Sequence, residues 1–132
     1  MTAKIENLKK LYFDESKHSI YQNIPAFVQE ALEYTVEIDE RWRGDTARWQ
    51  NLLQQVNFDQ LEVIGDIGAN TGFFSLSLAH RFPNLKVYAY ESNANHHDFM
   101  NAIKSQFRMN NIVVENKIVD LDNVENIHRH DC

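Results

Sequence analysis

The chain has 132 residues, the size of one domain, enough to bury a single core and too few for two. Thirteen Lys and Arg against nineteen Asp and Glu give a formal net charge of -6. That removes the sequence-independent attraction on which nucleic-acid and membrane-surface binders rely, although a local basic patch is not excluded. No apolar run reaches the roughly eighteen residues of a membrane span, and residues 1–10 carry no signal-peptide apolar region, so the expected compartment is the cytoplasm. The single cysteine, Cys132, permits no internal disulfide and no thiolate metal cluster.

Taken in chain order, residues 1–58 read as a helical extension. Ile5, Leu8, Leu11 and Tyr12 share one face of a first helix, and Ile24, Phe27, Val28, Ala31 and Leu32 share a face of a second, with Pro25 in its first turn. A third is predicted from Thr46, with Asp45 as N-cap, Trp49, Leu52, Leu53 and Val56 as its apolar stripe, and Asn57 at its end.

Over residues 59–132 the period changes. The short apolar run 61–67 suits a strand buried on both faces. Residues 72–82 follow as a helix with Phe73, Phe74, Leu76, Leu78 and Ala79 inside, stopped by Pro83-Asn84. Residues 86–90 form a second strand ending on Glu91, 96–109 a helix carrying Phe99, Met100, Ile103 and Phe107, and 112–119 a third strand. Strands separated by such helices imply right-handed crossovers and a parallel sheet, an α/β Rossmann-like fold. A doubly wound sheet lays its fourth strand beside the first, opening the crevice where ligands bind. Residues 121–132 are too few for it, so the expectation is a truncated half-domain whose first strand is an open edge, completed by a longer chain or by a second copy in a homo-oligomer.

The chemistry collects at the strand ends. The first strand ends on a carboxylate, Asp66, turns on Gly68 and enters a helix at Gly72. Gly68 lets the backbone leave the strand with no side chain facing a ligand, and Gly72 lets the helix start pack close to the sheet. N–H groups at that helix start favour an anion, whereas Asp66 repels a phosphate and suits a cation. Glu91, twenty-three residues beyond Gly68, can accept both hydroxyls of a ribose, with Ser92 and Asn93 flanking the base. S-adenosylmethionine combines these features, its ammonium facing Asp66 and its carboxylate the helix start. A P-loop needs Gly-Lys-Ser/Thr where this chain has Gly72-Phe73-Phe74. NAD is the weaker reading, because Asp66 opposes a pyrophosphate and the glycines at 65, 68 and 72 depart from the dinucleotide spacing.

The run Asp66-Ile-Gly-Ala-Asn-Thr-Gly-Phe-Phe-Ser and the run Val87-Tyr-Ala-Tyr-Glu91-Ser-Asn resemble motif I and the acidic motif II of class I S-adenosylmethionine-dependent methyltransferases, over residues 61–120. The resemblance implies that Asp66, Gly68, Ala69, Asn70 and Gly72, with Thr71 in the same turn, line the methionine part. It places Glu91 at the ribose, Ser92 and Asn93 at the adenine, and Asp120 near the adenine amino group. Residues 38–45 with Arg48-Trp49 are similar to the segment before motif I in tRNA wobble-uridine carboxymethyl-transferring relatives, which would bring Trp42 and Arg43 over the cofactor or substrate. The Asn/Asp-Pro-Pro segment of amino-methylating members has no counterpart, since the only prolines are Pro25 and Pro83.

The expected function is methyl transfer to an unidentified acceptor, with no general base nameable; a non-catalytic module that assembles through the open sheet edge is the alternative. The tail His128-Arg129-His130-Asp131-Cys132 has ligand residue types but no second spaced pair, and no metal is expected. His96-His97 belong to a helix start, Trp42 and Trp49 to packing, and Arg41, Arg43 and Arg48 to a solvated face or, more sharply, to a clamp on an anionic substrate.

Overall fold

The computed structural model describes residues 24–32 and 45–119. The first predicted helix, the segment 33–44 with Arg41, Trp42 and Arg43, Asp120, and the tail 128–132 lie outside the described residues.

Pro25 opens helix α1 (Ala26–Leu32). It has no N–H to satisfy and a φ already suited to a helix, and its carbonyl accepts from Val28 and Gln29, both at 3.0 Å. Phe27 stacks on His80 with ring centroids 4.0 Å apart and meets Phe107 edge-on at 5.1 Å. Phe27 and Val28 thus reach the core, while Ala31, expected on the same face, is exposed one turn later.

Helix α2 (Asp45–Gln55) begins on the predicted cap residue itself. Asp45 is buried, with Oδ1 3.7 Å from Arg48 Nη1, and its charge suits the positive end of the helix. Trp49, Leu52, Leu53 and Val56 pack half-buried against the core as their spacing predicts. A 3₁₀ turn over Phe58–Gln60 then buries Phe58 against Phe82, centroids 5.4 Å apart.

Strands β1 (Val63–Ile67), β2 (Lys86–Tyr90) and β3 (Ile112–Glu115) are parallel, in the order β1-β2-β3, and alternate in sequence with α3 (Phe73–Arg81) and α4 (Ala94–Gln106). This is the Rossmann-like α/β fold. The register pairs Asp66 with Ala89 and Ile67 with Tyr90, so β1 and β2 end level with each other. In the central strand Val87, Ala89 and Tyr90 are all buried. β1 differs from expectation: Ile64 is buried, Val63, Gly65 and Asp66 are half-buried, and Ile67 is 61% exposed. An apolar run marks a strand, but its coverage is set by neighbours, and β1 is an edge strand of the described sheet.

Element ends shift for identifiable reasons. α4 starts two residues before the predicted His96 because Asn93 caps it, its Oδ1 accepting from the N–H groups of Asn95 at 2.9 Å and His96 at 3.2 Å. It ends at Gln106 rather than Met109, since Arg108 is left-handed (φ 53) and the Met109 N–H donates to Lys104 O at 2.9 Å, a Schellman-type closure without glycine. β3 stops at Glu115 rather than 119, where Asn116 turns away and donates to the carbonyls of Glu91 at 3.0 Å and Ser92 at 3.1 Å. No helix among the described residues is long and apolar enough to cross a membrane.

Asn111 ties α3 to the sheet. Its Nδ2 donates to Ala79 O at 2.9 Å, Phe82 O at 3.1 Å and Leu85 O at 2.9 Å, satisfying carbonyls at and beyond the helix end, while its own carbonyl accepts from Val87 N at 2.8 Å. Asn111→Ala is expected to cost about 1–3 kcal/mol in urea unfolding, and Asn111→Asp at least as much because it sets a carboxylate against three carbonyls. A left-handed non-glycine residue costs roughly 1–2 kcal/mol, so Arg108→Gly is expected to raise the unfolding midpoint.

Candidate functional site

The turn after β1 is shaped by three left-handed residues, Gly68 (φ 71), Asn70 (φ 57) and Gly72 (φ 89). The end of β2 holds it: Tyr90 O accepts from Gly68 N at 2.8 Å and Ala69 N at 3.0 Å. Two glycines serve different purposes here. A Cβ on Gly68 would meet nothing within 4 Å, so this exposed position is open to solvent. A Cβ on Gly72 would come within 2.6 Å of Met100 Cγ and 2.7 Å of Met100 Sδ. The close approach at Gly72 is therefore to helix α4, not to the sheet as the sequence suggests.

Glu91, buried at the end of β2, joins the two turns. Its Oε1 accepts from Asn70 N at 2.7 Å, and its Oε2 from Asn93 N at 2.9 Å. Its own N–H donates to Glu115 O at 3.0 Å, which anchors it to β3. Burial works to raise its pKa, but His96 and the N–H groups of Asn93 and Asn70 outweigh that and hold the carboxyl below the ordinary value.

Asp66, at the end of β1, has the opposite environment. Its Oδ2 accepts from Ser75 Oγ at 2.6 Å, across the turn from α3. Burial, reinforced by the negative charge of Glu91, lifts its pKa above the ordinary value against the lowering effects of Ser75 and Arg48. Ser75 was not singled out by the sequence reading, although a serine between Phe74 and Leu76 on an apolar helix face signals a buried hydroxyl that needs a partner.

The sequence-predicted residues converge unevenly. Ala69, Asn70, Thr71 and Gly72 are buried, so the turn presents mainly Gly68 to solvent. The N–H groups of Gly68, Ala69, Asn70 and Gly72 donate within the protein rather than standing free for an anion. Ser92 is exposed, and the Asn93 side-chain oxygen is committed to the helix cap. A cleft of about 430 Å³ lies on the Asp66 side, with Arg48, Leu52, Phe58, Ile64 and Phe74 among its walls. Arg48 there rests 5.1 Å over the Phe74 ring and faces Asp45, which offsets the charge an anionic substrate would use. Among the described residues no group of three His, Cys, Asp or Glu side chains is placed to hold a metal ion.

No protein-family model matches the sequence, and no curated protein is similar to it in sequence. Solved structures do resemble it in fold. The N-terminal domain of EvdMO1 with SAH bound superposes with a TM-score of 0.60 at 16% identity, over 92% of this chain and 46% of that one. The precorrin-6y C5,15-methyltransferase of Geobacter metallireducens GS-15 gives 0.53 at 19% identity, over 67% and 44%. Coclaurine N-methyltransferase bound to N-methylheliamine and SAH gives 0.51 at 17%, over 90% and 36%. The chain thus shares the Rossmann-like fold of these solved chains and spans less than half the length of each of them.

The two carboxylates should titrate with opposite consequences for stability. Glu91, with a folded pKa below 4.5, contributes stability that is full above that value and lost as pH falls through the folded pKa. Asp66, with a folded pKa above 3.8, is a liability when ionised that is relieved as pH falls through its folded pKa. In urea unfolding near neutral pH, Glu91→Gln is expected to destabilise and Asp66→Asn to stabilise, both effects shrinking on acidification. Equal signs for the two variants would contradict this assignment.

Proposed function

We propose that the chain is the cofactor-binding part of an S-adenosylmethionine-dependent methyltransferase. One observation carries the reading: a single carboxylate, Glu91, is held by backbone N–H groups from both strand-end turns, beside an open glycine at 68. The residues present suit the cofactor. An ionised carboxylate has about four acceptor positions, and Glu91 uses one on each oxygen within the protein, leaving one on each for the two hydroxyls of a ribose. Asp66 supplies negative charge where an ammonium would sit, and the same charge disfavours the pyrophosphate of a dinucleotide. Exposed Ser92 flanks the adenine, whereas the backbone N–H of Asn93 is taken by Glu91 and its side chain by the helix cap. The SAH bound in two of the solved structures above supports the same ligand class.

The sulfonium, when bound, supplies an activated methyl group for direct displacement. The protein's part is alignment of the acceptor and exclusion of water.

Calorimetric titration with S-adenosylhomocysteine tests the proposal. Saturable binding by the folded chain is expected, and its absence would overturn the cofactor reading. Glu91→Ala is expected to weaken binding by about 1.5–3 kcal/mol, the range for a charge-assisted hydrogen-bonding group. Unchanged affinity would mean that the ribose is held elsewhere.

A further inference from the structure

The loop after β3 grips the end of β2 from one side. The Lys117 N–H donates to Glu115 O at 3.1 Å, closing a three-residue turn with Asn116 at its centre. The Lys117 ammonium meets Glu115 Oε2 at 2.8 Å and rests 5.4 Å over the Tyr90 ring, which pins the turn to the sheet. From this turn Asn116 Nδ2 donates to Glu91 O at 3.0 Å and to Ser92 O at 3.1 Å. The Glu91 N–H donates to Glu115 O at 3.0 Å, so both main-chain groups of Glu91 are fastened to the β3 side.

The next amide inherits its direction from these bonds. A trans peptide holds its C=O and N–H on opposite sides, and no described peptide bond is cis. With Glu91 O turned to β3, the Ser92 N–H points the other way, to the β1 side, where Tyr90 O meets the Gly68 and Ala69 N–H groups at 2.8 Å and 3.0 Å. Ser92 is exposed, and among the described residues its N–H donates to no protein acceptor. A peptide between a strand end and a helix cap flips by rotation about the two dihedrals that flank it. The two bonds from Asn116 oppose that flip.

We propose that Asn116 is a positioning residue for the base of the nucleoside: by holding the Glu91 and Ser92 carbonyls it sets the Ser92 N–H as a donor to the purine N3. This inference rests on the cofactor reading above. N3 is the acceptor because of where the ribose is held. Glu91 takes the ribose hydroxyls, and in an anti nucleoside N3 is the ring nitrogen on the edge shared with the 2′-hydroxyl. The first amide beyond Glu91 therefore meets N3 before it meets N1 or the exocyclic amine. A flipped peptide would instead set the Glu91 carbonyl oxygen against the N3 lone pair, two acceptors facing each other. Asn116 itself is exposed, so its replacement leaves the buried core as it is.

The test compares the calorimetric dissociation constants of S-adenosylhomocysteine and of its 3-deaza analogue, in which a C–H replaces N3. The wild-type chain is expected to bind the analogue roughly tenfold more weakly, the effect of leaving one N–H without its acceptor. In Asn116→Ala, and in Asn116→Asp, where a carboxylate faces the two carbonyls, the ratio is expected to fall towards one, because the constant for S-adenosylhomocysteine rises and that for the analogue changes little. In Ser92→Ala it is expected to stay at the wild-type value, since the donor belongs to the main chain. Equal binding of the two ligands by the wild type overturns the proposal and leaves the cofactor reading intact. So does a wild-type ratio retained in the Asn116 variants, or loss of both ligands there, the outcomes if the loop only stabilises the fold. A ratio lost in Ser92→Ala would assign the contact to the hydroxyl and overturns the proposal as well. No binding of either ligand by the wild type overturns the cofactor reading and this inference with it.

Discussion

Glu91 accepts from the Asn70 N–H at 2.7 Å and from the Asn93 N–H at 2.9 Å, and through these bonds the turns that end β1 and β2 share one charged group. Much of the local architecture serves this contact. Asn70 and Gly68 are both left-handed in the turn whose N–H groups reach Glu91 Oε1 and Tyr90 O. Asn93 donates its backbone N–H to Glu91 while its side chain starts α4, so the cap and the site are the same residue. Asn116 closes the far side by binding the carbonyls of Glu91 and Ser92, which is why β3 ends where it does.

The two strand-end acids are similar in sequence and different in physics. Glu91 has several donors that stabilise its charge, whereas Asp66 has burial and the repulsion of Glu91 against it, offset only in part by the Ser75 hydroxyl and the charge of Arg48. A charge that is already stabilised can receive neutral ribose hydroxyls at little further desolvation. A charge that is not stabilised gains most from a cation. Under the proposed function, this division would set the ammonium of the methionine part against Asp66 and the ribose against Glu91.

Legibility in the sequence followed locality. β2 was readable to the residue, because Lys86 to Tyr90 is bounded by Pro83-Asn84 before and a carboxylate after. The stripe of α2 was readable because Trp49, Leu52, Leu53 and Val56 keep helical spacing. What escaped was set by partners distant along the chain. Met100 lies twenty-eight residues after Gly72, and that contact, together with the left-handed φ of 89, is what requires a glycine there. Ser75 meets Asp66, and Asn111 meets Ala79, Phe82 and Leu85, through side-chain bonds that no periodicity announces. The end of α4 was missed because its left-handed position is held by Arg108, not by the glycine that usually signals it. The exposure of Ile67 likewise depends on what lies beside β1, which an apolar run does not encode.

A shared carboxylate at the base of a nucleoside site is a geometric claim, and the most direct measurement is a crystal structure of the chain with S-adenosylhomocysteine. The expected result is both ribose hydroxyls within hydrogen-bonding distance of Glu91 Oε1 and Oε2, with the Asn70 and Asn93 N–H groups still donating to the same two oxygens. A ribose bound away from Glu91, or a Glu91 carboxylate that has released the Asn70 N–H to bind it, would contradict the account.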